Sequence, residues 1–222
     1  MGETEYAAWG LAVAFVGLPF LLGKPMKPII ESCNGVHMQT EDLEQYAPTS
    51  YVQGYWQAML LLQKSGSGAT SPLQLEGSIL ERSKYLESNS LTNSATATLM
   101  EGFLSLFSGD YEAAAKRALK VGDVFLKQTP GAFYFQIEKF HRALSLYAGA
   151  RKAGKRQFRT AAKKLRKAIR KWEEAGNPNV IQYNLLFTAE QAALVRNDKV
   201  ALPKGHCVCC TLRTSAPCCL IQ

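Results

Sequence analysis

A tight corner between two helices near the C-terminal end constrains the fold more than any other feature of this chain. Gly176 and Asn177 follow an apolar-periodic segment that ends near Trp172, and Pro178 opens the next one. Glycine and asparagine end helices because they adopt the left-handed conformation easily, whereas the ring of proline fixes a backbone angle that suits a helix start. The sequence therefore predicts two helices joined as a hairpin.

Small residues recur at one spacing in two parts of the chain. Ala189 and Ala201 lie twelve residues apart across a polar turn, and Gly102 and Ala114 repeat that spacing across Ser108-Gly109-Asp110. In tetratricopeptide-type repeats, small residues stand where the two helices of a hairpin cross most closely. The spacing predicts stacked hairpins, although the two copies are not separated by a clean multiple of the repeat length of about 34 residues.

The corner and its surroundings also carry a resemblance to a known class of proteins. The residues that match between Phe140 and Ala201 are Trp172, Gly176-Asn177-Pro178-Asn179-Val180, Leu185-Leu186 and Ala189-Glu190. They resemble the helical-repeat region of large signalling ATPases, which combine an AAA/STAND-type ATPase with protein kinase, histidine kinase or nucleotide cyclase domains. The segment Gly2-Glu3-Thr4-Glu5-Tyr6-Ala7, with Gly23-Lys24-Pro25 after it, is similar to a second part of that region.

The resemblance implies a connecting scaffold rather than an enzyme. The chain has no GxxxxGK[ST] phosphate loop and no HRD or DFG element of a kinase. A protein partner, or neighbouring domains of a longer polypeptide, would then be the binding target. Repeats without capping helices also predict self-association through an exposed apolar face.

Apolar periodicity predicts an all-α fold of stacked helical hairpins. The predicted helices span residues 4–22, 27–36, 49–63, 78–88, 92–107, 111–127, 132–151, 155–175 and 179–196. Small polar residues make 64–77 the expected flexible linker between a repeat block at 1–63 and a second block at 78–201. Residues 202–222 form a Cys-rich tail that we expect to be disordered.

The apolar stretch from Ala7 to Leu22 predicts a buried repeat helix rather than a membrane span. It is sixteen residues long and contains Gly10, Gly17 and Pro19, whereas a bilayer needs about 20 apolar residues. The acidic residues that precede it have the wrong charge for the start of a signal peptide.

One predicted helix carries the whole positive charge excess. Residues 151–171 contain eleven Lys or Arg and no acid, and the rest of the chain has 15 bases against 18 acids. An apolar stripe runs along one side of this helix, at Phe158, Ala161, Ala162, Leu165, Ala168, Ile169 and Trp172. The candidate anion-binding residues on the other side are Arg159, Lys163, Arg166, Lys167 and Arg170.

Several interpretations of this basic side remain open. It is a solvated outer face, a contact for an anionic membrane or nucleic acid, or a contact for an acidic partner domain. Nucleic acid is not favoured, since no aromatic residues interleave with the cations to stack on bases.

The tail concentrates five of the six cysteines in its last sixteen positions. Cys219-Leu220-Ile221-Gln222 fits a prenylation motif, which would place a farnesyl group on Cys219. His206, Cys207, Cys210 and Cys218 or Cys219 form a weaker zinc motif. A third explanation is an unspliced or frameshifted reading frame that truncates a longer repeat region. We expect a cytoplasmic protein that meets a membrane only if Cys219 is lipidated.

Catalytic residue patterns are absent from the sequence. His37, His141 and His206 are far apart, and no nucleophile has a plausible base near it. We therefore predict a non-catalytic helical-repeat scaffold without cofactor or metal. The alternative is a membrane-tethered adaptor, anchored through Cys219 and assisted by the basic helix.

Overall fold

The computed structural model describes residues 2–65, 74–87, 90–128 and 134–194. Within these ranges the regular secondary structure is all helical, and there is no strand. The α-helices are α1 (Glu3–Ala12), α2 (Leu18–Leu21), α3 (Met26–Asp42), α4 (Tyr46–Ser65), α5 (Arg82–Glu87), α6 (Leu91–Phe107), α7 (Tyr111–Val121), α8 (Val124–Gln128), α9 (Tyr134–Ala153), α10 (Arg156–Glu174) and α11 (Ile181–Leu194). A π-helical turn, Val13–Gly17, joins α1 to α2, and the 3₁₀ turn Pro178–Val180 leads into α11. The all-α fold class that the sequence predicts is confirmed.

Six long helices pack in a row that follows the chain. Helix α3 packs against α4, α4 against α6, α6 against α7, α7 against α9, and α9 against α10. Helix α1 lies against α3 and α4, and α11 lies against α9 and α10. Helix α2 contacts both α3 and α9, so it bridges two distant parts of the row.

The spacing of the helices differs from that of a tetratricopeptide array. Helices α6, α9 and α11 begin at residues 91, 134 and 181, so their starts are 43 and 47 residues apart. The tetratricopeptide period is about 34 residues. Stacking of the tetratricopeptide type therefore stays a prediction, whereas the helical array is observed.

Both predicted corners have the expected capping geometry. Gly176 adopts a φ of +86° at the end of α10, and Asn177 donates its amide to the carbonyl of Trp172 at 3.0 Å. Gly109 ends α6 in the same way, with a φ of +79°. The Asp110 carboxylate then accepts the amide of Ala113 at 3.0 Å and caps α7.

The hydrophobic residues form two clusters that meet at α7 and α9. The first runs from Ala12 to Ile137 and the second from Ala115 to Phe187. The first cluster includes residues on both sides of the predicted linker, and Leu75 within 64–77 is fully buried. Helices α4 and α6 therefore share one interior across the predicted boundary, and the division into blocks at 1–63 and 78–201 stays a prediction.

A close helix crossing lies at a glycine that the repeat spacing did not indicate. A Cβ atom on Gly149 of α9 would overlap the Ala115 side chain of α7 and lie 2.9 Å from the carbonyl oxygen of Tyr111. A Cβ atom on Gly102 would meet only Arg117, at an ordinary 3.7 Å. Gly102 is thus not a position that excludes bulk, which corrects the prediction made for it.

The other predicted crossing residues have mixed positions. Ala114 is fully buried between α6 and its neighbours, as a close-packed position requires. Ala189 is only half-buried, and its neighbour Ala192 is the buried alanine of α11. Ala201 lies outside the described residues.

A series of aromatic contacts joins the two clusters. Phe20 contacts Tyr55 and Phe103, with ring centroids 5.6 Å apart in both pairs. Phe103 contacts His141 at 4.9 Å, and His141 contacts Phe140 at 5.2 Å. Phe140 continues the series by stacking on Tyr183 of α11 at 4.1 Å. The contacts cross from the first cluster into the second and favour cooperative folding of the array.

Candidate functional site

Helix α10 separates apolar and charged side chains more sharply than the other helices. Phe158, Ala162, Leu165 and Ile169 are buried in the second cluster, at spacings of four, three and four residues. Gly154, with a φ of +65°, ends α9 and lets the chain reverse into α10. The apolar stripe holds α10 against α9 and α11 and leaves the opposite side in solvent.

Seven cations line the exposed side of α10, and we call them the cationic face. They are Arg156, Arg159, Lys163, Lys164, Lys167, Arg170 and Lys171, all of which are exposed. At 3.6 residues per turn they occupy one arc of about 140°, and they extend about 22 Å along the helix axis. Four of the five predicted anion-binding residues belong to this face, and Arg156, Lys164 and Lys171 complete it.

Arg166 does not belong to the cationic face, contrary to the sequence-based assignment. Its guanidinium donates to the Thr188 hydroxyl at 2.9 Å and to the side-chain carbonyl of Gln191. Both acceptors lie on α11, toward which Arg166 turns from the edge of the apolar stripe. Arg166 therefore ties α10 to α11, and sequence reasoning missed this because the acceptors come from another helix.

The cationic face has few acidic neighbours in the described part of the chain. Arg170 pairs with Glu174 at 3.1 Å, and both side chains are largely exposed. No ion pair within the described ranges involves Lys163, Lys164 or Lys167. A concentrated, uncompensated positive potential therefore remains on this side of the array.

Ion pairs flank the cationic face and fix the helices around it. Lys155 pairs with Glu112 of α7 at 2.6 Å, and Arg151 pairs with Glu190 of α11 at 2.6 Å. The hydrogen bond from Lys155, with a second from Lys116, lowers the pKa of Glu112. Desolvation raises the pKa of Glu190, and Arg151 opposes that shift. Arg151 and Lys155 are therefore paired within the array and are not counted in the cationic face.

The residues of the predicted corner have structural positions. Trp172 is half-buried against the second cluster, and the Lys139 ammonium lies 5.4 Å from its ring centroid. Pro178 begins the 3₁₀ turn, and Asn177 caps that turn by accepting the amide of Asn179 at 3.0 Å. The corner sets the direction of α11 relative to α10.

The described histidines have structural partners. His37 lies 2.9 Å from the Gln53 side chain, and His141 Nε2 lies 3.2 Å from the carbonyl oxygen of Leu21. Burial lowers the pKa of His141 to about 4, so its imidazole is neutral at pH 7. Within the described ranges, no three His, Cys, Asp or Glu side chains form a group suited to a metal ion.

The N-terminal helix has one buried and one exposed side. Over Glu3–Leu21 it is long and apolar enough to cross a membrane, a test that core helices of soluble proteins also pass. Ala8, Ala12 and Val16 are buried against the array, whereas Tyr6 is 66% exposed and Phe15 is 54% exposed. The predicted burial of this helix therefore holds on one side only.

The chain matches no protein-family model, and comparisons with curated proteins and with solved structures find no match. The fold and the site nevertheless define a class: an all-α helical array that carries a cationic face near one end. Cys219 and the other tail residues discussed above lie outside the described residues.

The side chains of the cationic face suit the binding of anions. Several adjacent cations can neutralise several anionic groups at once, and the strength of that contact decreases with added salt. The arrangement therefore favours recognition of an extended anionic surface.

Proposed function

We propose that this chain is a non-catalytic helical scaffold whose cationic face binds an acidic protein surface. The observation that carries the proposal is the set of seven exposed cations on one arc of α10, on a helix whose other side is fixed in the core. An acidic protein surface fits better than a single-stranded nucleic acid, because no aromatic side chains interleave with these cations to stack on bases.

The resemblance to signalling ATPases suggests where such a surface would be found. In that arrangement the acidic surface belongs to a neighbouring domain of a longer polypeptide, and the array transmits a change of state between domains. The packed row of helices supports this role, since displacement of one end is passed to the next helix by direct contact.

Binding to poly-glutamate, compared with duplex RNA at the same charge concentration, tests the proposal. We expect salt-sensitive binding of poly-glutamate, weakened about tenfold by the double substitution Lys163→Glu and Lys167→Glu. The matched control is Lys120→Glu with Lys127→Glu, which makes the same charge change on α7 and α8, at exposed positions. Equal loss in both double variants, or binding to RNA alone, would reject the proposal.

The exposed side of the N-terminal helix supports a second candidate, a membrane-tethered adaptor. Tyr6 and Phe15 present apolar surface to solvent, and the cationic face would add attraction to anionic lipids. A farnesyl group on Cys219 would supply the stable anchor. Cys219→Ser should then abolish membrane fractionation in cells, while Lys163→Glu with Lys167→Glu should only weaken it. Unchanged fractionation of both variants would exclude the adaptor.

A further inference from the structure

The outer side of α3 carries the opposite charge to the cationic face of α10. Glu31, Glu41, Asp42 and Glu44 are all exposed on α3 or at its C-terminal end, and we call them the acidic face. Lys27 is the one lysine or arginine on this helix and lies at its N-terminal end. Ile29, Cys33 and Val36 are buried on the inner side and hold the helix in the first cluster.

The two charged faces lie on helices that are well separated along the helix row. Helices α4, α6, α7 and α9 lie between α3 and α10 in the order of packing. Within the described ranges, no ion pair joins the acidic face of a molecule to its own cationic face. A second copy can supply the opposite charges, because each copy offers both faces.

We propose that the chain associates head to tail, with the acidic face of one copy bound to the cationic face of the next. This inference rests on the proposed function, since it names a second copy as an acidic protein surface that the cationic face binds. The contact is heterologous, so it builds either a closed ring or an open filament, according to the rotation between copies.

The dimensions of the two faces agree. From Glu31 to Asp42 the acidic face extends about 16 Å, and from Arg156 to Lys171 the cationic face extends about 22 Å. Each is the outer side of one long helix, so two helices can lie against each other along several turns. Complementary charges along that length would also set the register of the contact.

Apolar side chains beside the acidic face add contact area, and the contribution of that area to binding is not screened by salt. Met38 lies on the same side of α3 as Glu31 and is 55% exposed, and Tyr46 at the start of α4 is 86% exposed. A tyrosine ring at this position can also receive an arginine guanidinium from the facing helix.

The net charge of the chain predicts an unusual salt dependence for this association. A charge of +8 on each copy causes long-range repulsion, which is screened at lower ionic strength than attraction between groups in contact. We therefore expect the strongest association near about 0.1 M salt, and weaker association at both about 0.01 M and about 0.5 M.

Sedimentation velocity of the full chain across these salt concentrations, under reducing conditions, tests the proposal. One double variant reverses two charges of the cationic face, through Lys163→Glu and Lys167→Glu. The other reverses two charges of the acidic face, through Glu31→Lys and Asp42→Lys. We expect each variant alone to associate at least about tenfold more weakly than the original chain. An equimolar mixture should recover association in pairs, because the unchanged acidic face of the first variant can bind the unchanged cationic face of the second.

The control and the alternative outcomes keep this test separate from the test of the proposed function. At about 0.1 M salt and above, where long-range repulsion is screened, Lys120→Glu with Lys127→Glu should associate like the original chain. Circular dichroism should confirm that every variant is folded. A chain that stays monomeric up to about 100 µM at all three salt concentrations, or an association that neither reversal changes, overturns the head-to-tail proposal. If such a chain still binds poly-glutamate, the proposed function stands; loss of both activities rejects both.

Discussion

At the residue scale, the close crossing of α7 and α9 depends on Gly149. A Cβ atom there would overlap Ala115 and press on the backbone of Tyr111, so one of the helices must move. We expect Gly149→Ala to lower the free energy of unfolding by about 1 to 3 kcal/mol, measured by urea denaturation.

Gly35 and Gly102 are the controls for this substitution. A Cβ atom on Gly35 would meet nothing within 4 Å, and one on Gly102 only an ordinary contact. Alanine should be neutral or stabilising at both positions, by up to about 1 kcal/mol, because it favours the helix. A larger loss at Gly102 than at Gly149 would restore the crossing that the repeat spacing predicted.

A second residue-scale prediction concerns His141 and acid stability. Its pKa is about 4 in the folded chain, against about 6.5 when unfolded. Between these two pKa values the unfolded chain binds more protons than the folded chain. The stabilising effect of the neutral ring is therefore complete above about pH 6.5 and is lost as the pH falls toward 4. Between pH 7 and pH 5 the loss should reach up to about 2 kcal/mol.

The variant His141→Gln should lack this component. Comparison of urea denaturation at pH 7 and pH 5 isolates it, since the other titrating groups are common to both proteins. Glu138, one turn earlier on α9, has the opposite effect on the pH dependence of stability. Burial raises its pKa, and Arg142, at 3.0 Å, opposes that shift. The contribution of Glu138 to stability therefore grows as the pH falls. Glu138→Gln should therefore steepen the acid loss. An unchanged slope in His141→Gln would contradict the assignment.

At the scale of the elements, the sequence predicts the helices well where their capping residues are local. The predicted segment 92–107 corresponds to α6, and 155–175 to α10. Glycine follows the C-terminal end of both helices, Ser90 caps the start of α6, and Gly154 precedes α10. The predicted helix 111–127 is divided into α7 and α8 at Gly122, which has a φ of +58°. The predicted 27–36 extends to Asp42, since a polar outer side hides the apolar period of α3.

Only part of the candidate site was predictable, because sequence patterns report local structure and not contacts between helices. An apolar stripe with a period of 3.6 residues identifies which side of α10 is buried, and four of the five predicted cations are exposed as expected. Arg166 lies at the edge of that stripe, where its direction depends on Thr188 and Gln191 of another helix. Local periodicity contains no information about such tertiary partners.

The role of Arg166 gives a prediction at this scale. Because its hydrogen bonds join α10 to α11, Arg166→Ala should accelerate hydrogen exchange of the α11 amides while leaving poly-glutamate binding unchanged. Lys163→Ala should weaken poly-glutamate binding and leave hydrogen exchange in α11 unchanged. The Lys163 side chain is exposed and contacts no other helix through an ion pair in the described ranges. Loss of poly-glutamate binding in Arg166→Ala, with unchanged exchange in α11, would return Arg166 to the cationic face.

At the scale of the whole molecule, two hydrophobic clusters share α7 and α9 and are joined by the aromatic series through Phe103 and His141. A helical array in which each unit contacts only its neighbours can unfold in parts. Shared helices and a continuous set of ring contacts instead favour a single transition. The sequence alone did not indicate this coupling, since the rings come from five helices, α2, α4, α6, α9 and α11.

The native tryptophans can report on each cluster separately. Trp9 and Trp56 pack against the first cluster, and Trp172 packs against the second. Replacing the other two tryptophans with phenylalanine leaves either Trp56 or Trp172 as the only fluorophore. We expect the two reporters to give coincident urea transitions, as a single cooperative unit requires.

Phe103→Ala should then separate the two transitions. The substitution removes the ring that contacts both Phe20 and His141, at a cost of about 3 to 5 kcal/mol to the first cluster. The Trp56 signal should change at lower urea than the Trp172 signal, because the second cluster keeps its own buried residues on α9, α10 and α11. Distinct midpoints in the chain that retains Phe103 would show that the array already unfolds in parts. Equal shifts of both tryptophan signals in Phe103→Ala would show that α7 and α9 alone suffice to couple the clusters.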